Sequence, residues 1–113
     1  MSIARVLTDI ELANLGPVYS QVHNVNVVET VWQELSLANG ATDTAVAFAG
    51  VTTADVVLIA SDRQITWRQA LTDTATTIDA GGYALLCKSG MTALYLTNAS
   101  GAAALVKVFL GGA

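Results

Sequence analysis

The chain has 113 residues and a formal net charge of −4, with 12% charged residues against 53% hydrophobic ones. Soluble domains carry about 25% charged residues, and a dispersed monomer depends on such charge to stay in solution, so we expect other subunits to cover much of this surface. The five basic residues are scattered, which excludes nucleic acid from the predicted partners, because a phosphate backbone is bound by clustered basic residues. The apolar runs are far shorter than the ~20 residues of a membrane helix, which excludes a membrane.

Residues 1–20 are predicted to form an N-terminal arm, separate from a β-sandwich domain that spans residues 21–113. Residues 2–14 fit a short helix that ends at Gly16-Pro17. They fit equally an extended arm, because a terminal segment can become ordered on a partner. The charged residues in this stretch predict that it is not a secretory signal.

Residues 22–39 also fit two structures. Their β-branched residues favour strand, either one long strand or two strands that break near Glu29. However, Val25, Val28, Trp32 and Leu35 have the spacing of a helical stripe. The sequence therefore leaves the choice between helix and strand open for residues 2–39.

Residues 41–110 are predicted to be β-structure throughout. Short runs rich in Val, Ile, Thr, Leu and aromatic residues are separated by Gly, Asp, Asn or Ser, and they cover residues 44–50, 54–61, 63–69, 75–82, 83–89, 91–98 and 102–111. The runs repeat about every ten residues, which is typical of an all-β sandwich or barrel.

Alternation within these runs predicts which side chains enter the core. Three runs place apolar residues on one face, namely Ile65 with Trp67, Leu94 with Leu96, and Val106 with Val108 and Leu110. The run VVLIA at 56–60 is apolar on both faces, which predicts a central strand covered on both sides. The sequence NASG at 98–101 predicts a hairpin turn between two strands.

The reactive side chains do not form a recognisable catalytic or metal-binding pattern. His23 is the single histidine and no G-x-S-x-G turn accompanies it. The aspartates of the predicted β region lie at strand ends or turns, where a carboxylate commonly binds its own backbone. The sequence contains no D-x-D run of the kind that binds calcium. The single cysteine, Cys87, excludes an intrachain disulfide and is expected to be a small buried residue. We predict no catalytic, cofactor-binding or metal-binding residue and no enzymatic activity.

Two tryptophans keep a binding function open. Trp32 and Trp67 are the residue type that stacks on sugar rings. Because Trp67 alternates with Ile65, its position indicates core or interface instead.

Four stretches from Leu37 onward carry a resemblance to a known family. They are GVTTADVVLIASD, ITW, AGGYALL and TALYLTNASGAAALVKVFLGG, and the chain stops abruptly after the last one. This pattern resembles that of small virion proteins of tailed bacteriophages, of the head decoration (cement) type. The resemblance implies a jelly-roll-like β-sandwich that sits outside the head at subunit junctions and reinforces the shell. It supplies no catalytic residues, and similar modules also occur in tail fibres and adhesins.

We therefore expect an all-β, jelly-roll-like β-sandwich with an N-terminal arm or short helix, located on the capsid surface of a virion. The expected partners are the major capsid protein and the chain itself, as a homodimer or homotrimer, with no cofactor. The alternative is a tail-fibre or adhesin module that binds a host-surface receptor or glycan. Candidate subunit contacts are apolar and basic residues of the arm and aromatic residues of exposed strands: Ile3, Arg5, Val6, Leu7, Ile10, Trp32, Tyr95 and Phe109.

Overall fold

The computed structural model describes residues 2–12 and 16–113, with side chains described at 5–8, at 22 and from 24 onward. These residues form ten β-strands: β1 (Ser2–Leu12), β2 (Gly16–Val27), β3 (Glu29–Leu37), β4 (Thr44–Ala45), β5 (Ala54–Ser61), β6 (Ile65–Arg68), β7 (Thr76–Ile78), β8 (Tyr83–Met91), β9 (Tyr95–Thr97) and β10 (Ala104–Gly112). No helix in this part of the chain is long and apolar enough to cross a membrane.

Eight of the strands form two four-stranded antiparallel sheets. Sheet I has the order β3-β10-β5-β8 and sheet II has the order β4-β9-β6-β7. The chain passes from sheet I to sheet II after β3, β5 and β8, and it returns after β4, β7 and β9. This order is that of a jelly roll, in which eight strands form two packed sheets. The predicted all-β, jelly-roll-like sandwich is confirmed.

Apolar side chains of the inward faces form the core between the sheets. Val106, Val108 and Leu110 of β10 are completely buried, because every second residue of a strand points to the same face. Ile59 of β5 and Leu96 of β9 meet them in the same cluster. The predicted inward faces are confirmed, and β5 is a central strand between β10 and β8 as expected.

The first two strands form a separate hairpin. β1 pairs with β2 from Ser2 opposite Val27 to Leu12 opposite Gly16. The short helix considered for residues 2–14 is wrong over residues 2–12, the part of it that the structure describes, because β2 supplies the strand partner that satisfies the backbone groups of β1. Of the alternatives left open for residues 22–39, two strands that break near Glu29 are confirmed, since Val28 separates β2 from β3. The boundary predicted at residue 20 falls inside β2.

Two local predictions are corrected by the structure. The run at 44–50 contains a strand of two residues, Thr44–Ala45, because Asp43 and Ala49 adopt left-handed backbone conformations with φ of 46° and 50° that a strand does not accommodate. Cys87 is half-buried instead of buried, since β8 turns the neighbouring Leu86 toward the core.

The NASG segment is not a hairpin turn, because it connects β9 of sheet II to β10 of sheet I. Asn98 is completely buried at this crossing. Its side-chain amide nitrogen donates hydrogen bonds to the carbonyl oxygens of Leu37 at 2.9 Å and Ala102 at 2.8 Å, and its side-chain oxygen accepts one from the Ser100 backbone N–H at 3.0 Å. This residue therefore ties the ends of β3, β9 and β10 together.

The end of β10 is held against the segment that precedes β5. The Ala113 backbone N–H donates to the Thr53 carbonyl at 3.0 Å, and the Thr53 N–H donates back to the Ala113 carbonyl at 2.9 Å. A Cβ atom at Gly112 would overlap the carbonyl oxygen of Thr53. Glycine is required at position 112 because the two backbones approach too closely for any side chain.

Candidate interaction surface

The outer face of sheet I carries a row of apolar side chains that crosses all four strands. The strand register places Trp32 beside Phe109, Phe109 beside Leu58, and Leu58 beside Leu85. We call these four residues the apolar row. Trp32 is 59% exposed and the other three are half-buried. The rings of Trp32 and Phe109 lie 6.3 Å apart at 49°, within the range that favours aromatic pairs.

A second row lies two residues further along the strands. It consists of Glu34, Lys107, Ala60 and Tyr83 in the same strand order. Lys107 Nζ lies 3.9 Å from Glu34 Oε1, an exposed pair of a kind that contributes about 0–1 kcal/mol. Tyr83 is 67% exposed. The apolar surface therefore continues past one compensated pair of charges.

The base of the hairpin also lies on the outer face of sheet I. It covers the flank of the apolar row that is turned away from the second row. Val25 and Val27 of β2 are buried, and β2 packs on β10, β5 and β8. A Cβ atom at Gly111 would lie 3.2 Å from a methyl carbon of Val27, so the hairpin approaches sheet I closely because position 111 has no side chain. The outer face of sheet I is thus a surface on which a β-ribbon already rests.

The hairpin itself exposes an apolar pair. Leu7 lies opposite Val22 in the register, and they are 52% and 41% exposed. They are on the face of the hairpin opposite to that of Val25 and Val27, because residues of odd separation in a strand point to opposite sides. The accessible surface of the chain, 6545 Å², exceeds the roughly 5,900 Å² expected for this mass, in agreement with a hairpin that adds exposed surface.

The outer face of sheet II has a different chemistry. Thr66 lies between Thr77 and Thr97 in the register. Beside them, Arg68 holds Asp43 through two hydrogen bonds, Nε to Oδ1 at 2.9 Å and Nη2 to Oδ2 at 2.5 Å. Hydrogen bonding to the Asp43 carboxylate raises the pKa of Arg68 further above its ordinary value. This face is polar, and the Arg68 side chain on it is held by contacts with Asp43 and with the Asp73 carbonyl oxygen.

The structure brings together some of the predicted contact residues and separates others. Trp32 and Phe109 are neighbours on sheet I, whereas Tyr95 pairs with Arg68 in sheet II and is half-buried. Arg5 and Leu7 of the hairpin are exposed and Val6 is half-buried. Ile3 and Ile10 belong to β1, but their side chains lie outside those described, as does that of His23.

Sequence reasoning missed four residues of this surface: Leu58, Leu85, Tyr83 and Leu105. Leu105 is 45% exposed on the outer face of β10. The signal for Leu58 was present in the run that is apolar on both faces. Their alignment beside Trp32 was not visible, because it depends on the order and register of strands distant in sequence.

Among the residues with described side chains, no group of three or more His, Cys, Asp or Glu could hold a metal ion. Trp67, considered for sugar stacking, packs against the core and is half-buried. Its indole N–H is buried without a hydrogen-bond partner in the described part of the chain. Trp32 is therefore the better placed of the two tryptophans for contact with another molecule.

No protein-family model matches the chain, and no curated protein matches its sequence. Among solved structures, it is similar to the Cnp3 cupin domain of Schizosaccharomyces pombe, with 10% sequence identity over 96% of this chain and 84% of that one and a TM-score of 0.48. The assignment to the jelly rolls rests on the strand order itself, and a shared fold carries no function from one protein to another.

Proposed function

We propose that this chain is a structural subunit of a bacteriophage virion, a decoration (cement) protein. In this role it binds the outside of the head, stabilises contacts between major capsid subunits and catalyses no reaction. The observation that carries the proposal is the exposed apolar surface of the apolar row and the hairpin, on a chain with 12% charged residues. Such a surface is typical of protein–protein contact.

The mechanism of such a protein is mass action. A ligand that binds the assembled shell, and not its separated subunits, lowers the free energy of the assembled state. Covering apolar surface contributes about 25 cal/mol per Å² before the costs of association. Many copies on one head, each with a modest contact, therefore raise the stability of the whole particle.

The hairpin is the element that we assign to attachment. Leu7 and Val22 form an exposed apolar pair on it, whereas the polar face of sheet II offers no comparable surface among its described residues. Deleting the first 15 residues is a poor test, because it also removes the strand partner of β2. Substitution of Leu7 leaves the backbone pairing intact.

The proposal is tested with heads of the phage that encodes the chain, prepared without this protein. Purified chain is added, bound copies are counted by quantitative gel analysis and cryo-EM, and the temperature of head disruption is recorded by light scattering. We expect saturable binding and a higher disruption temperature. Leu7→Lys should bind at least tenfold more weakly, and Thr77→Lys on the exposed face of sheet II serves as the matched control. Heads that bind no unmodified chain would refute the proposal.

A receptor-binding module of a tail fibre or adhesin is the second candidate, and the exposed Trp32 beside Phe109 favours it. An exposed tryptophan ring is a surface on which a sugar ring can stack. This function predicts binding on a glycan array that is lost in Trp32→Ala and kept in Thr77→Lys. An array without specific signals at high protein concentration would exclude it for the glycans tested.

A further inference from the structure

We propose that Asn39 is a site of spontaneous deamidation, and that the fold controls the reaction through the crossing at Asn98. The site consists of the Asn39-Gly40 dipeptide and the backbone contacts that hold it. Asn39 and Gly40 are both exposed, so water reaches them. The inference goes beyond the proposed function, and a failed test of one leaves the other untouched.

The reaction uses the backbone nitrogen that follows the asparagine. The Gly40 nitrogen attacks Cγ of Asn39, the new N–Cγ bond closes a five-membered imide ring, and the Cγ–Nδ2 bond breaks. The Gly40 N–H proton leaves with the side-chain amide group as ammonia. Water then opens the ring. Opening at Cγ gives aspartate, whereas opening at the backbone carbonyl carbon gives isoaspartate, whose main chain is one carbon longer. Either product carries a new carboxylate.

The sequence sets Asn39 apart from the other asparagines. The chain has five asparagines, and Asn39 alone is followed by glycine; the other four precede leucine, valine, valine and alanine. A side chain on the following residue crowds the attacking nitrogen, and a β-branched one is also stiff, whereas glycine has no Cβ. We therefore expect Asn39 to react before any other asparagine.

The turn after β3 explains why this dipeptide is present. The Ala41 N–H donates to the Ala38 carbonyl at 3.0 Å, and Gly40 has a φ of 83°. A type II turn has a positive φ at its third residue and so favours glycine there. The Asn39 side-chain oxygen accepts a hydrogen bond from the Gly101 N–H at 3.2 Å. Both residues of the labile dipeptide therefore have a structural role.

The crossing at Asn98 holds the nitrogen that would attack. The Gly40 N–H donates to the Asn98 carbonyl at 2.8 Å, and the Asn98 N–H donates to the Ala41 carbonyl at 2.8 Å. This pair must open before the Gly40 nitrogen loses its proton and turns toward Cγ, which makes deamidation a report of local opening. One hydrogen bond of ordinary net strength makes opening about two- to tenfold rarer, so two bonds slow the reaction by roughly four- to hundredfold.

The two products differ in their effect on the fold. Aspartate keeps the length of the main chain, and its carboxylate still accepts from the Gly101 N–H. Isoaspartate lengthens the main chain between Asn39 and Gly40 and displaces the Gly40 N–H from the Asn98 carbonyl. It should therefore loosen the end of the sandwich that Asn98 ties together. Both products change the formal net charge by one, from −4 to −5.

The first test follows deamidation of the full-length chain by peptide mass spectrometry, in mildly alkaline buffer at a temperature below the melting transition. A synthetic peptide of residues 34–45 is the unfolded reference, and the folded chain should react at Asn39 at least about fourfold more slowly. Asn98→Ala removes the amide that holds the Leu37 and Ala38 carbonyls and should speed the reaction. The matched control is Leu110→Ala, a buried position toward the other end of β10, which lowers global stability comparably. Asn98→Ala should react at least about twofold faster than this control.

The second test compares the two products. Ion exchange separates the deamidated chains, and mapping identifies the isoaspartate fraction. This fraction should melt at a lower temperature than Asn39→Asp, which carries the same charge on a main chain of normal length and should melt with the unmodified chain.

Four results would each overturn the inference. They are a folded chain that reacts as fast as the peptide, a first reaction at another asparagine, equal rates in Asn98→Ala and Leu110→Ala, and an isoaspartate fraction that melts with Asn39→Asp. The absence of reaction at Asn39 in Asn98→Ala, over a period that converts the peptide completely, would overturn it as well.

Discussion

Substitution of Asn98 by alanine should be among the most destabilising changes to this chain. Asn98 is completely buried, and its side chain makes hydrogen bonds to the carbonyls of Leu37 and Ala102 and to the N–H of Ser100. A buried group left without its hydrogen bond costs about 1–3 kcal/mol. Leu37 is buried, so its carbonyl has no access to water, while Ala102 and Ser100 are more exposed.

From these contacts we expect Asn98→Ala to lower the free energy of unfolding by about 2–4 kcal/mol. This is a large fraction of the ~5–15 kcal/mol that stabilises a typical domain. At about 4 °C per kcal/mol for a domain of this size, the Tm should fall by roughly 8–16 °C. Urea unfolding followed by circular dichroism should show a lower midpoint with an unchanged slope, since the surface exposed on unfolding stays the same.

Asn98→Asp separates the hydrogen bonds from the shape of the side chain. Aspartate keeps the acceptor for the Ser100 N–H, but it directs a carboxylate oxygen at the carbonyls that the amide nitrogen serves. It should therefore be at least as destabilising as alanine, because a buried carboxylate with one oxygen held against two carbonyl oxygens is costly. If Asn98→Asp unfolds at the midpoint of the unmodified chain, or if alanine costs less than about 1 kcal/mol, then the amide does not hold the crossing between the sheets.

Two further predictions follow from the geometry. Gly112→Ala should lower the Tm by more than about 5 °C or prevent folding, because its Cβ would overlap the Thr53 carbonyl. The control Gly50→Ala should change the Tm little, because its Cβ meets only the flexible Glu29 side chain. Equal changes of Tm in the two variants would contradict this prediction. The ion pair with Asp43 raises the pKa of Arg68. The contribution of this pair to the free energy of unfolding is therefore lost only as the pH rises through that pKa. The stability difference between the unmodified chain and Arg68→Met, measured by urea unfolding, should thus stay constant from pH 7 to about pH 10, and a steady decline over that range would show another cause.

The sequence by itself predicted the β-structure of residues 54–112 and most of the side chains that enter the core there. Val106, Val108 and Leu110 alternate with outward residues over a run long enough to show the two-residue period, and β5 was recognisable as central because it is apolar on both faces. These features are local, since the period of a strand is a property of neighbouring residues. The break near Glu29 was one of the alternatives that the sequence left open, and the structure decided it.

The tertiary structure alone decided which strands are neighbours, and with that the interaction surface. The apolar row joins positions 32, 109, 58 and 85, and no local pattern relates residues so far apart in the chain. The same holds for β1, which is a strand because β2 pairs with it, and for Asn98, whose partners lie on either side of a crossing between sheets. Pairing between distant strands is set by which faces must be buried together, and that balance is settled only when the whole chain folds.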